Sequence, residues 1–295
     1  MKYLHLLRPK HWIKNLFLFI PLFFAGEIFD FEKVFSVFYG FTAFSFIASS
    51  IYIFNDYRDR ENDAKHPIKK LRPLAAGTIT PTTGLIMAIL LAFVGFTLAY
   101  LIRDKFMFIL SIYFIMNLSY SLGLKNIPIL DVMIIAVGFV LRIKAGAAIS
   151  RTWVSEWLIL MIFLLSLFLA LGKRRDDVLI QAKSGIGMRK SLNGYNAEYL
   201  NVMISLVCAV IIVSYIMYTI SPEIQIRFGT SRLYYSSIFV IAGIMRYLQL
   251  IFVKDDSGYP TYVLYRDKFI QVTLLLWIAS FFFLIYVKEF SVFNP

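Results

Sequence analysis

The chain has 295 residues, of which 59% are hydrophobic and only 16% are charged, and its mean hydropathy is +0.72. These values exclude a water-soluble fold and indicate a polytopic membrane protein. The net charge of +12 is compatible with nucleic-acid binding. However, the excess of Lys and Arg is interleaved with aspartates in a few segments. This pattern predicts anionic substrates and the headgroups of a lipid bilayer as partners, and no nucleic acid.

Nine apolar segments are long enough to cross a bilayer, which takes about 20 residues of helix. The predicted spans are 13–31, 34–54, 83–102, 106–124, 129–149, 156–172, 199–220, 231–253 and 269–287. No linker, low-complexity tract or internal repeat separates them, so the sequence predicts a single domain over residues 1–295. The predicted fold class is an all-α integral membrane protein, a bundle of nine transmembrane helices.

The distribution of Lys and Arg predicts the orientation of the bundle, because short loops rich in these residues stay on the cytoplasmic side. With the N-terminus inside, twenty Lys and Arg fall in cytoplasmic segments and seven fall on the opposite side. The loops near residues 57–82, 173–198 and 254–268 hold most of the twenty. We therefore expect a multi-pass protein of the cell (inner) membrane with a cytoplasmic N-terminus.

The first apolar segment begins with polar residues at its predicted cytoplasmic end. Lys10 and Lys14 lie one helical turn apart, and Asn15 follows directly. Lysines in this position can anchor a helix at lipid phosphates, which is the interpretation we favour for Lys10. Lys14 and Asn15 lie deeper in the apolar segment, so we expect these two side chains to face a substrate site.

The most charged stretch, residues 55–77, follows the second predicted span. On a helix, Asn55, Asp59 and Asp63 recur every fourth residue, and Asp56 precedes Asp59 by three, so one stripe carries three carboxylates and an amide oxygen. Like charges this close repel, and they persist most easily when they share a hard cation. The alternative is a solvated loop with compensating charges. Because uncompensated charge at the end of an apolar helix is disfavoured, we predict that these four residues bind Mg²⁺.

Bases follow the acidic stripe at once, at Lys65, Lys69, Lys70 and Arg72. Cations in this position can neutralise phosphate oxygens beside a metal held by the acids. Residues 55–77 as a whole therefore predict a binding site for a diphosphate with its Mg²⁺.

A second stripe of acid and base follows the fourth predicted span. The connection contains Lys125 and leads to Asp131, and on a helix Gly138 and Arg142 fall within about 20° of the face of Asp131. An arginine inside a span is costly when it faces lipid, so we expect Arg142 to face a cavity or a partner. The missing side chain at Gly138 leaves room for a phosphate or a prenyl chain between the two charges.

Two later segments also mix acids with bases. Residues 172–177, Gly-Lys-Arg-Arg-Asp-Asp, open the loop after the sixth predicted span, and Arg246 lies inside the eighth. Such charge runs are usually a solvated surface, which is our interpretation of Arg175 and Asp176. Arg246 is more informative, because it lies within an apolar stretch.

These residues resemble the UbiA superfamily of intramembrane transferases, whose nine-helix bundles carry two aspartate-rich motifs on cytoplasmic loops. The first motif, Asn-x-x-x-Asp-x-x-x-Asp, stands here as Asn55, Asp59 and Asp63. The fuller pattern is similar to the superfamily's branch of polyprenyl-phosphate phosphoribosyltransferases. The matching stretches are Arg8-Pro9 with Trp12, Lys14 and Asn15; Asn55-Asp56 through His66-Pro67 to Arg72-Pro73 and Gly77; Tyr120-Ser121 with Lys125 and Asp131; Gly138-Phe139-Val140-Leu141-Arg142; Gly172-Lys173-Arg174; and Arg246-Tyr247 with Pro260 and Arg266-Asp267.

The resemblance implies transfer of 5-phosphoribose from phosphoribosyl diphosphate to a polyprenyl phosphate, with Mg²⁺ as cofactor and diphosphate as leaving group. It implies catalytic roles for Asp59, Asp63 and Asp131. The implied substrate-binding residues are Lys65, Lys69 and Arg72 at the donor phosphates; Lys125, Asp131, Lys173 and Arg174 in the facing half of the donor site; and Lys14, Asn15, Arg142 and Arg246 at the lipid phosphate or in substrate positioning. Assembly as a homo-oligomer is left open.

Two other functions compete with this interpretation. An aromatic prenyltransferase would use the same metal motif, but its second motif, Asp-x-x-x-Asp, is reduced here to Asp131 followed by Ile135. A lipid-phosphate transporter would need charge through the depth of the membrane, whereas only Arg142, Lys144 and Arg246 lie inside predicted spans. The chain also departs from the phosphoribosyltransferase pattern at Asp177, where a glutamate is usual, which leaves the role of that residue open.

Overall fold

The computed structural model describes residues 2–65, 69–184, 190–253, 263 and 266–286. Within these residues the regular structure is entirely helical. The α-helices are α1 (Lys2–Leu7), α2 (Ile20–Ala25), α3 (Phe31–Ala64), α4 (Pro81–Ile102), α5 (Asp104–Leu122), α6 (Leu130–Ser150), α7 (Glu156–Ser184), α8 (Ala197–Ile220), α9 (Pro222–Phe228), α10 (Ser237–Phe252) and α11 (Lys268–Tyr286).

Among the described residues, eight helices are long and apolar enough to cross a membrane, and each coincides with a predicted span. They are α3 to α8, α11, and α10 extended by the 3-10 helix Arg232–Ser236. The remaining predicted span, 13–31, takes a different form. It begins as a 3-10 helix, Pro9–Phe19, and continues as the short helix α2. The chain is thus a multi-pass, all-helical membrane protein.

The chain divides into two compact units, Met1–Val154 and Ser155–Pro295. In the first unit α3 is central, since it packs against α4, α5, α6 and the 3-10 helix Pro9–Phe19. Its core is a large apolar cluster, in which Phe44, Ile47 and Leu110 are completely buried. A smaller apolar cluster, which includes Ile53 and Leu74, lies under the end of α3 that carries the charged stretch. That charged end is therefore supported by packed side chains.

Polar contacts hold the 3-10 helix against α3. The Trp12 indole donates to Ser49 Oγ at 3.0 Å, and the Asn15 amide donates to Ser45 Oγ at 2.9 Å. On its other side the 3-10 helix approaches α6 at Gly146, where a Cβ atom would overlap the carbonyl of Leu18. Only glycine allows this backbone-to-backbone contact. The first segment is thereby fixed between α3 and α6.

In the second unit, α7 packs against α8, and α10 packs against α11. Two buried hydroxyl groups of this unit, those of Tyr215 and Ser236, bond to each other at 2.7 Å, and Tyr215 also accepts from the Trp277 indole at 2.7 Å. Such pairing is needed where no water is present to bond a polar group.

Candidate active site

The acidic stripe lies on a helix rather than on a loop, because α3 continues to Ala64 instead of ending near residue 54. Residues 55–64 contain neither Gly nor Pro, so nothing in this segment interrupts the helix. Asn55, Asp59 and Asp63 therefore share one face of a 34-residue helix. The side chains of this stripe take part in two groups of contacts.

The first group, which we call the lysine group, consists of Asn55, Asp59 and Lys125. Lys125 Nζ lies 2.7 Å from each carboxylate oxygen of Asp59 and 3.2 Å from Oδ1 of Asn55. The Asn55 amide donates to Asp59 Oδ2 at 3.1 Å. Three oxygen atoms thus converge on one cationic nitrogen. The Asp59 side chain is 29% exposed, so the group is accessible from solution.

The second group, which we call the arginine group, consists of Arg8, Asp56, Asp63 and Arg72. Arg8 Nη2 donates to both oxygens of Asp56, at 2.6 and 2.7 Å. Arg72 Nη1 donates to Oδ1 of Asp56 at 3.0 Å and to Oδ2 of Asp63 at 2.6 Å. The side chains of Asp56 and Asp63 are only 3% and 6% exposed. Two arginines and two aspartates therefore form a charge-balanced chain of ion pairs around buried carboxylates.

The four predicted metal ligands do not converge at one point. In the part of the chain that the structure describes, no three His, Cys, Asp or Glu side chains are grouped closely enough to hold a metal ion. The lysine group nevertheless fits Mg²⁺, since carboxylate and amide oxygens are its preferred ligands and here they already surround a cation. Asp56 fits poorly, because arginines occupy both of its oxygens.

The predicted phosphate-binding bases lie at the same end of α3. Lys65 follows the last residue of the helix and its side chain is exposed. Lys69 begins the short 3-10 helix Lys69–Leu71, and Arg72 follows it within the arginine group. His66-Pro67 and Pro260 of the resemblance fall outside the described residues.

Arg142 is buried in α6, with 5% of its surface exposed. Its guanidinium donates to Asn15 Oδ1 at 2.9 Å and to the Tyr113 hydroxyl at 2.9 Å. It also donates to the carbonyl of Gly138 at 2.8 Å, and three aromatic rings surround it at 4.9 to 5.2 Å. Arg142 therefore faces the interior of the first unit. We predicted that the space over Gly138 holds a phosphate or a prenyl chain. The Arg142 guanidinium occupies this space instead, because its side chain folds back along its own helix.

The neighbours of Arg142 differ in how firmly they are held. Asn15 is 1% exposed and joins Arg142 to Ser45 of α3, so its contacts are internal to the protein. The Lys14 side chain makes no hydrogen bond or ion pair with the described residues. Asp131 is completely buried in the first turn of α6. The proposed contacts of Lys14, Arg142 and Asp131 with substrate stay predictions.

In the second unit, Lys173 and Arg174 lie on α7. Arg174 is 3% exposed and donates to Asp177 Oδ2 at 2.8 Å. Arg246 lies on α10 and pairs with Asp267 just before α11, with nitrogen-oxygen distances of 2.7 to 3.3 Å. Both arginines thus have carboxylate partners within their own unit, and their predicted contacts with substrate stay predictions.

Sequence reasoning missed two residues, Arg8 of the arginine group and Tyr113 beside Arg142. Arg8 was noted only as part of a motif, although an arginine directly before a proline at the start of an apolar segment is a usable signal. Tyr113 was not singled out, because a tyrosine in an apolar helix looks like ordinary packing. Its hydroxyl instead accepts a hydrogen bond from Arg142.

The helical membrane fold, with acids and bases gathered at one end of α3, defines an intramembrane transferase. The sequence profile of the UbiA prenyltransferase family matches residues 16–265, and the chain belongs to this family. The predicted family and the predicted all-helical membrane fold are confirmed, and the count of nine spans stays a prediction.

Two curated relatives from different genera carry the same name. A decaprenyl-phosphate phosphoribosyltransferase from Corynebacterium glutamicum is 31% identical over 95% of this chain and 86% of its own length. The protein of the same name from Mycolicibacterium smegmatis is 30% identical over 92% of this chain and 89% of its own length. Both alignments run along nearly the whole of each protein.

Solved structures share the fold at lower identity. A UbiA homologue from Archaeoglobus fulgidus, bound to DMAPP and Mg²⁺, superimposes with a TM-score of 0.71 at 22% identity, over 97% of this chain and 100% of that one. A digeranylgeranylglyceryl phosphate synthase superimposes with a TM-score of 0.68 at 17% identity, over 97% and 98% of the two chains. At these identities the likeness establishes the fold.

Proposed function

We propose that this protein transfers 5-phosphoribose from phosphoribosyl diphosphate to a polyprenyl phosphate in the membrane. The observation that carries the proposal is the lysine group, in which three oxygens surround one cationic nitrogen beside further bases at the same end of α3. Oxygen ligands for a metal, with cations next to them, suit a substrate that carries a diphosphate. The names of the curated relatives support the phosphoribosyl donor and the polyprenyl acceptor.

Mg²⁺ would be held by Asn55 and Asp59, with Asp63 on the next turn of the same face. When bound, this ion stabilises the negative charge that develops on the departing diphosphate. The family supports this assignment, since a solved relative contains Mg²⁺. Lys125 contacts the same oxygens of Asp59. Its ammonium would therefore lie beside the bound diphosphate and help to neutralise the negative charge that develops there.

The bases around α3 bring two anions together. Lys65 and Lys69 are placed to contact donor phosphates, and Arg72 presents the part of its guanidinium that Asp56 and Asp63 do not use. The acceptor phosphate is already anionic at neutral pH, so its oxygen attacks C1 of the ribose without a general base. The bond from C1 to the diphosphate oxygen breaks as the bond to the lipid phosphate forms.

We also propose that the charged end of α3 faces the cytoplasm, where a water-soluble sugar diphosphate is available. The excess of Lys and Arg on this side supports the orientation. Lys70 is exposed at this end and Arg151 is exposed after α6. In a Cys208→Ser background, Lys70→Cys should resist an impermeant thiol reagent in intact cells while Arg151→Cys reacts. Reaction at position 70 alone would reverse the orientation.

The function is tested with purified protein, labelled phosphoribosyl diphosphate, Mg²⁺ and polyprenyl phosphates of several lengths. Label should enter the organic phase with the lipid, and it should stay in the aqueous phase when the Mg²⁺ is chelated. A parallel reaction contains a prenyl diphosphate and an aromatic acceptor. Transfer in the parallel reaction alone would replace the proposal with an aromatic prenyltransferase.

A further inference from the structure

Asp56 stands next to the metal motif in sequence but has a different environment. Arg8 Nη2 donates to both of its oxygens, and Arg72 Nη1 donates a third hydrogen bond, to Oδ1. Only 2% of the residue is exposed. Both oxygens of this buried carboxylate are thus bonded to arginines, and a metal ion would have to displace one of these charged partners. What it does provide is a fixed point at which two guanidinium groups meet.

Arg8 is held in an unusual backbone conformation. Its φ and ψ angles are 53° and 56°, in the left-handed region that residues other than glycine rarely adopt. Pro9 contributes, since a proline disfavours the right-handed helical conformation of the residue before it. The Arg8 side chain is fixed by Asp56 and lies over the Tyr52 ring, 5.4 Å from its centroid. A strained residue held by its surroundings points to a positional requirement.

Part of each guanidinium remains available. Within the described part of the chain, Nε and Nη1 of Arg8 make no hydrogen bond, and neither do Nε and Nη2 of Arg72. The two side chains are 18% and 27% exposed. The free Nε and Nη2 of Arg72 share one edge of its guanidinium and form a planar fork that matches a phosphate. The free Nε and Nη1 of Arg8 lie on different edges, so each offers a separate N–H donor to a phosphate oxygen.

We propose that Asp56 is a positioning residue and not a metal ligand, and that Arg8 is a substrate-binding residue that Asp56 holds in place for a phosphate group. This deepens the proposed function, on which it rests. The phosphate belongs either to the sugar diphosphate donor or to the lipid acceptor. Arg72 bonds to both aspartates of the arginine group, so it connects the Arg8 site to the stripe that carries Asp63.

The first test measures Mn²⁺ binding in the absence of substrate, by electron paramagnetic resonance on detergent-solubilised protein. Asp56→Asn should bind Mn²⁺ with an affinity within about twofold of wild type, whereas Asp59→Asn should lose at least about tenfold. An equal loss in both variants would make Asp56 a metal ligand and overturn the proposal. This comparison holds whichever substrates the enzyme uses.

The second test is kinetic. Arg8→Met should raise the KM of one substrate about tenfold or more, the scale of a lost charged hydrogen bond, with a smaller change in kcat. Asp56→Asn should raise the same KM, and the double variant should be no worse than the more impaired single variant, because one residue acts through the other. The substrate whose KM rises identifies the source of the phosphate. The matched control is Arg60→Met, which removes an arginine from α3, the helix that carries Asp56.

Arg8→Lys separates binding from folding, because an ammonium keeps the ion pair with Asp56 but lacks the additional N–H groups of the guanidinium that stay free beside that pair. It should preserve the melting temperature and still raise that KM, whereas unchanged kinetics would make the ion pair purely structural. If wild-type protein transfers no phosphoribose, the proposed function fails and inorganic diphosphate becomes the probe. It should raise the melting temperature of wild type but not of Arg8→Met. Equal protection of both, or of neither, would overturn the role of Arg8.

Discussion

The lysine group and the arginine group lie on the same few turns of α3, yet they compensate their carboxylates in different ways. In the lysine group the cation is a single ammonium on a flexible stem, and Asp59 is 29% exposed. In the arginine group two guanidiniums fix carboxylates that are 3% and 6% exposed. An ammonium is a point charge that another cation can replace, whereas paired guanidiniums set a geometry. We therefore expect the lysine group to exchange its ammonium for a divalent ion, and the arginine group to keep its side chains in fixed positions.

The largest expected effect is on catalysis through the lysine group. Asp59→Asn removes one charge from the oxygens that surround Lys125, and we expect kcat to fall by about 10²-fold or more. Stability should fall by about 1 kcal/mol at most, the upper value for a partly exposed ion pair. Steady-state kinetics and a thermal melt on one preparation give both values. Near-native activity would return the acidic stripe to a solvated, compensating surface.

A smaller effect, on stability, is expected from the arginine group. Arg72→Met leaves Asp56 and Asp63 without one of their hydrogen-bond donors. Removing one partner of a buried ion pair costs about 3–5 kcal/mol, and because Arg72 is itself 27% exposed we expect about 2 kcal/mol. A thermal melt in detergent should show the loss, and added Mg²⁺ should not restore it. Full recovery with Mg²⁺ would mean that the two groups share one metal.

Lys125→Met should strengthen metal binding, whereas Asp59→Asn should weaken it. Without the ammonium, three oxygens are open to a divalent ion, so Mn²⁺ affinity in the absence of substrate should rise by about threefold to tenfold, while catalysis weakens. Stability in chelator should fall by about 1 kcal/mol, the upper value for a partly exposed pair. Weaker Mn²⁺ binding would show that Lys125 supports the metal site rather than competing with the ion.

The smallest effect is expected at Arg60, which pairs with Glu61 outside both groups. The Glu61 side chain is 82% exposed and the pair spans 3.1 Å. Exposed ion pairs of this kind contribute about 0–1 kcal/mol, so Arg60→Met should leave activity and melting temperature near wild type. A marked loss of activity would extend the functional surface of α3 beyond the two groups.

The sequence predicts the shared helical face of Asn55, Asp59 and Asp63, because their periodicity follows from helical geometry alone. It does not predict that Asp63 belongs to the arginine group while Asn55 and Asp59 contact Lys125. It predicts the position of α3 but not its length, since charge at the end of an apolar run looks like a loop boundary. It could not predict how Asp56 is used. That depends on Arg8, which lies 48 residues away. The proline after Arg8 disfavours a right-handed helical backbone at this residue, but it does not identify Asp56 as the partner.

For Arg142 the sequence predicts the burial of the side chain but not its partners. Its burial and its inward orientation follow from the cost of placing a charge in lipid. Its partners do not, because Tyr113 and Asn15 come from distant parts of the chain. The spacing to Gly138 was correct, but a long flexible side chain can fold back over its own helix. Helical spacing identifies neighbours and leaves open which of them fills the space between.

The 3-10 helix Pro9–Phe19 has a consequence for the fit between protein and bilayer. Residues 9–25 are too few to cross a hydrocarbon core of about 30 Å as an α-helix, since they would reach about 26 Å. A 3-10 helix rises about 2.0 Å per residue, so with Pro9–Phe19 in that form the same residues reach about 31 Å. The tighter winding thus gives residues 9–25 the length that the predicted first span needs, and this segment begins directly after the strained residue that meets Asp56.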